Sequence, residues 1–181
     1  IKYSNQKDHL PSVMKAVMAY CMQPQKTHTN ERAWTVSGVG CNPKTAYQEF
    51  MANKSVWQKN DGLCFRHYVQ SFSPDEEITP EKALEIGLEF ANRAWKGYGV
   101  IVATHIDREH IHNHFIIDTV NIDNGKKLHE DRKNIERLRK INDEICLKHG
   151  LSVLSPFENG LIKSIGIEPC KLCTYCWNGK E

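Results

Sequence analysis

The sequence predicts an α+β domain, an antiparallel sheet with helices packed against it. Three observations point there. Helical and extended patterns are interleaved along the chain rather than blocked. The extended runs at 100–105 and 111–120 are joined by too few residues for a crossover helix, so they must run antiparallel. Asn124-Gly125 is the strongest short hairpin signal in the chain. A length of 181 residues suits one domain with a real core.

The elements follow in order. Val13, Ala16, Val17 and Tyr20 recur at helical spacing, so residues 10–21 read as a helix with one apolar face, and Pro24 stops it soon after. Residues 34–39 read as a short strand. Asn42-Pro43 supplies an N-cap and a proline at the first helical position, opening a helix to about Lys54. Residues 63–72 are rich in aromatic and β-branched types and read as a strand. Thr79-Pro80-Glu81 starts a helix carrying Leu84, Ile86, Leu88, Ala91 and Trp95 that ends near Gly97. Strands follow at 100–105 and 111–120. A charged helix over 130–149 is closed by Gly150 at C′. Residues 151–154 read as a last strand.

Apolar residues at 40% and charged residues at 25% are ordinary for a soluble globular protein. No run of ~18 apolar residues exists to span a membrane, and the polar start is not a signal peptide, so a cytoplasmic location without membrane contact is expected. The start also lacks Met, so residues are expected to precede it. A net charge of +2 neither announces nor excludes a nucleic-acid partner, because charge can be segregated. Cys21, Cys41, Cys64 and Cys146 sit in apolar contexts and read as reduced core residues. Cys170, Cys173 and Cys176 read either as half of a zinc site or as thiols at a chain end.

Four of the nine histidines fall between His105 and His114. His112 and His114 are two apart and share a strand face. Across a turn this short His105 falls roughly opposite His112, on the same face at a Cβ separation of ~5 Å. Three imidazoles then converge, as a facial metal site with open positions requires. His110 shares their parity but lies at the turn and ranks below them. Asp107 is placed to orient an imidazole. Asn113, Phe115 and Ile117 face the other way, under helices. Three neutral imidazoles suit Zn, Mn, Fe, Co, Ni or Cu, and admit Mg when phosphate oxygens complete the shell.

The segment His-x-Asp-x-x-His-x-His-Asn-His, from His105 to His114, with Asn121 beyond it, resembles a motif of conjugative relaxases of the MobA/MobL (MOBP) class. Tyr20 followed by Pro24-Gln-Lys-Thr27 resembles their first motif, and residues 66–81 resemble a further segment. The matches span about residues 10–130 in family order. Two departures are Asp118, where relatives often carry Asn, and Cys21, where Ile or Val is commoner. Relaxases are usually longer, so residues 1–160 are expected to be the nuclease domain and 161–181 the start of a further region.

The resemblance implies an HUH-type fold, a central antiparallel sheet with helices on its faces. It implies His105, His112 and His114 as metal ligands, Mn²⁺ or Mg²⁺ first among the ions. It also implies Tyr20 as a nucleophile that nicks one strand at an origin of transfer, keeps the 5′ end as a phosphotyrosine and rejoins it. The expected partners are single-stranded or hairpin origin DNA, an accessory relaxosome protein and a coupling protein. From periodicity alone Tyr20 is a core residue of its helix; Tyr68 is the second nucleophile candidate. His67 and Asp107 are candidates for general base, with a structural role equally open for His67. Lys26, Arg66, Lys126 and Lys127 lie beside the motif segments as candidate DNA contacts. Trp34 and Trp57 read as core residues before base-stacking ones. The alternatives are a replication initiator of the same superfamily, a cupin-type metal oxygenase in a closed barrel, and a DNA-binding module without catalysis.

Overall fold

The structure, a computed structural model, describes residues 2–3, 10–29, 34–108, 110–129 and 131–153. The Cys170, Cys173 and Cys176 tail lies outside them. The chain forms β1 (Lys2–Tyr3), α1 (Pro11–Cys21), α2 (Pro24–Thr27), β2 (Val36–Val39), α3 (Ala46–Val56) and β3 (Phe65–Ser71). It continues through α4 (Pro80–Ala94), β4 (Val100–His105), β5 (His112–Asp118) and α5 (Arg132–Lys148).

One antiparallel sheet runs β1-β3-β5-β4-β2, placing β5 at its centre. This is the α+β architecture expected, and its edges β1 and β2 leave it open rather than closed into the barrel a cupin requires. Every residue of β4 and β5 is buried, as befits strands covered on both faces. On one face Phe65, Ile101, Ala103 and Ile116 pack against α1 and α3. On the other, Tyr68, Val100, Val102, Phe115 and Ile117 pack against α4 and α5.

Below the end of the sheet that carries the histidine hairpin, the second face holds a buried polar layer. Thr104 Oγ1 donates to Asn113 Oδ1 (2.6 Å), and Asn113 Nδ2 donates to Gln70 Oε1 (2.9 Å) and to the Ala83 carbonyl (2.7 Å). Gln70 Nε2 in turn donates to Asn142 Oδ1 of α5 (2.7 Å). Gly87 lets α4 approach this layer, since a Cβ there would lie 2.6 Å from Asn113 Nδ2. With its polar atoms paired, the layer ties both helices to the central strand.

Several local expectations are corrected. The buried face of α1 is Met14, Val17, Met18 and Cys21, one register away from the face expected, because that register is also helical and its larger methionines bury more apolar area. Tyr20 is therefore half-buried on the flank of α1, and Ala16 is exposed. Asn42 caps a turn through Lys44 N (3.0 Å), and α3 starts only at Ala46. Asn124-Gly125 turns the chain, with Gly125 at φ +66°, yet only a single bridge, Val120 to Lys127, forms around it. The Asn121 side chain takes the backbone N–H groups of Asp123 and Asn124 and closes a loop instead. Residues 151–153 form no strand: Leu151 packs into the α4–α5 core and Ser152 N donates to Glu76. Trp34 and Trp57 are each 36% exposed, so neither is a core residue. Asp131, through its bond to Asn134 N (2.7 Å), caps α5, which ends in a Schellman turn at Gly150. None of the four described cysteines is in a disulfide.

Candidate metal centre

β4 and β5 carry the candidate site at one end of the sheet. Their register pairs His105 with His112 and Ala103 with His114, so the three imidazoles share the α1-side face. Their ring centroids are 5.1 Å (His105–His112), 4.2 Å (His105–His114) and 5.1 Å (His112–His114) apart. One ligand nitrogen from each lies within 4.8 Å of the others, and all three side chains are buried.

The outer hydrogen bonds decide which nitrogens remain to bind an ion. His105 Nε2 donates to the Cys21 carbonyl (2.9 Å), which leaves Nδ1 with a lone pair. His112 Nδ1 donates to the His110 carbonyl (3.2 Å), which leaves Nε2. His114 Nδ1 lies 2.8 Å from His67 Nε2; with His114 as donor, its Nε2 is also left. A lone pair from each ring, each ring oriented from behind, is the donor set of a three-histidine metal site. These residues fit a divalent ion.

Burial favours the neutral imidazoles such a site needs. Desolvation pushes His105 and His112 down to about 4, and His114 well below the usual histidine range. The unfolded chain therefore takes up protons below about 6.5 that the native chain refuses. The stability from these groups is whole above that value, declines as pH falls, and is lost as pH passes through about 4. In chelator, the unfolding free energy from urea titration is expected to be lower at pH 5 than at pH 7.5, falling below about pH 6.5 by up to ~1.4 kcal/mol per pH unit for each such histidine. A flat profile would show that the histidines are not held neutral.

α1 and α2 bring the other members. The Tyr20 ring lies 6.1 Å from that of His105, edge to face. Lys26 Nζ lies 4.7 Å from the Tyr20 ring centroid and 2.6 Å from Asp107 Oδ2. Asp107 Oδ1 is 4.0 Å from His105 Nδ1. The pairing with Lys26 holds the Asp107 carboxyl below the usual range against the opposing effect of its burial.

Other sequence candidates fall elsewhere. Tyr68 is on the opposite face, packed 5.4 Å from Trp95. Arg66, paired with Ile117, shares that face. Lys126 and Lys127 follow the far end of β5, beyond Asp118, itself six residues or ~20 Å from His112. There Asp118 pairs with buried Lys54, so that departure from the family pattern is remote from the histidines. His110 contributes its carbonyl.

His67 is fully buried behind His114, stacked on it at 5.0 Å, and burial pushes it down to about 3. Its position against His114, with Cys21 Sγ 4.0 Å from its Nε2, suits the structural role of an orienting partner. Sequence reasoning left this role open, and it missed the Lys26–Asp107 pair. The signal for the first was parity: His67 pairs with Ile116 and so shares the histidine face. Nothing local signalled the second, which joins residues 81 apart.

Residues 20–151 match the family model described as relaxase, MobA/VirD2-like, nuclease domain. Protein rlx of Staphylococcus aureus is 37% identical over 75% of this chain and 42% of its own length. The group II intron-interrupted relaxase LtrB of Lactococcus lactis subsp. cremoris (strain MG1363) is 30% identical over 82% of this chain and 32% of its own. The chain thus spans less than half the length of these curated relatives. Among solved structures, one from work on the molecular basis of vancomycin resistance transfer in Staphylococcus aureus matches in fold. Its TM-score is 0.52 at 17% identity, over 80% of this chain and 90% of that one.

Proposed function

We propose, because the chain belongs to the relaxases as a MobA/VirD2-like nuclease domain, that it nicks and rejoins one DNA strand at an origin of transfer. The observation that carries this reading is the placement of the Tyr20 ring beside His105, one of three buried histidines whose ligand nitrogens lie within 4.8 Å of one another. His105, His112 and His114 would hold a divalent ion, Mn²⁺ or Mg²⁺ first. Bound there, it supplies charge neutralisation at a non-bridging phosphate oxygen.

The chain's own residues do the rest. The Tyr20 oxygen attacks phosphorus, forming the Tyr–O–P bond as the P–O3′ bond breaks. The 5′ phosphate stays on the protein, and the 3′ oxygen takes up a proton to balance the one the phenol releases. Conserving the phosphoester bond allows the same 3′ hydroxyl to attack later and reseal the strand. His67 orients His114. Asp107, held acidic by Lys26, is a poor acceptor for a phenol proton, so we assign neither residue as general base and route that proton to water at the rim.

In this reading residues 1–160 form the nuclease domain and 161–181 begin a further region. The substrate is single-stranded or hairpin origin DNA in a bacterial cytoplasm, met with an accessory relaxosome protein and a coupling protein. Among the described residues no helix is long and apolar enough to cross a membrane. The test is to incubate the chain with a labelled single strand spanning the origin of transfer, with Mn²⁺ or Mg²⁺. An SDS-resistant protein–DNA adduct that EDTA prevents is the expected result. Cleavage that leaves both ends free of protein would exclude the covalent route.

A further inference from the structure

We propose that Lys26 is a positioning residue that fixes Tyr20 against the histidine hairpin, and that it is not a contact to the DNA backbone. Its ammonium joins the two halves of the site. On one side it lies over the face of the Tyr20 ring, 4.7 Å from the centroid. On the other it is bound to Asp107 at 2.6 Å, two residues beyond His105. The backbone makes the same connection: Ile106 N donates to the Lys26 carbonyl (2.9 Å). Thr35 Oγ1 lies 2.8 Å from each of the Thr27 and Thr104 carbonyls, pinning the following residue to the end of β4.

A lysine that serves a phosphate keeps its ammonium in water and its stem on the protein surface. The Lys26 side chain is instead only 11% exposed, with its charge committed to the Asp107 carboxylate at the protein surface. Desolvating an ammonium is costly unless it is paired, so the pair and the ring contact hold one another in place. The phenol, on the flank of α1 rather than in its core-facing register, is thereby kept on the side of the helix next to His105. Misplacing a reacting group by about 1 Å costs up to ~10²-fold in rate.

The inference rests on Tyr20 being the nucleophile. The experiment uses the full chain and the labelled origin strand and measures affinity and single-turnover adduct formation separately. Lys26→Met is expected to bind the strand within about twofold of wild type, with the same salt dependence, while the adduct rate at saturating DNA falls ~10–100-fold. Lys26→Arg, which keeps a cation able to stack on the ring, is expected to recover most of that rate. The double variant Lys26→Met/Asp107→Asn leaves no carboxylate without its partner and serves if Lys26→Met does not fold; the same rate defect is expected of it. Weakened binding with a salt slope reduced by about 0.7, and an unchanged rate at saturation, would make Lys26 a phosphate contact and overturn the proposal. If Tyr20→Phe still forms the adduct, the nucleophile assignment fails first, and the two failures are told apart.

Discussion

Tyr20→Phe is expected to abolish covalent capture of the origin strand, lowering adduct formation by several orders of magnitude, while DNA binding and metal binding persist. Removing a nucleophile stops the covalent chemistry itself, whereas positioning and charge neutralisation remain. The substitution deletes one oxygen from a half-buried ring on the flank of α1. Its ring contacts with His105 and Lys26 are available to phenylalanine as well. Circular dichroism and a gel-shift titration should therefore match wild type. Persistence of the adduct would move the nucleophile to another tyrosine. Tyr68 is a poor substitute, since it is buried beside Trp95 on the other face of the sheet.

His112→Ala and His114→Ala are expected to lower affinity for Mn²⁺ more than ~100-fold by titration calorimetry and to prevent adduct formation. Loss of an outer partner of a ligand costs ~10–100-fold in metal affinity, so loss of the ligand itself should cost more. His112 begins β5 and its ring is bonded only to the neighbouring His110 carbonyl among the described contacts. Its removal is the milder structural change. His114 also carries the bond to His67, so that variant additionally leaves a buried nitrogen without its partner, and a lower urea midpoint is expected. Unchanged Mn²⁺ affinity in both variants would place the ion elsewhere.

The α+β class and the convergence of three histidines were legible because both depend on period-2 parity and a short turn. A turn this tight leaves few registers, and the pairing of His105 with His112 is one of them. The helix boundaries at Thr79 and Gly150 were legible because local chemistry sets them. What local pattern did not carry was anything decided between distant segments. In α1 two overlapping helical registers were both apolar, and the choice between them fell to packing against α3 and the sheet, which put Tyr20 on the flank. The Lys26–Asp107 pair and the Asn113–Gln70–Asn142 layer join residues far apart in sequence. Motif proximity did not place Arg66, Lys126 and Lys127 beside the histidines. Strand parity turns the first to the other face, and the length of β5 carries the lysines to its far end.

If three histidines and one tyrosine form a single DNA-cleaving site, the nicked strand must be carried on that tyrosine. The most direct measurement is to isolate the SDS-resistant adduct, digest the protein and the DNA, and locate the retained nucleotide by mass spectrometry. A 5′-nucleotide phosphoester on the oxygen of Tyr20, in the peptide that includes Val17 to Lys26, is the expected result. A nucleotide on any other residue, or no nucleotide on a protein that has nicked its strand, would contradict it.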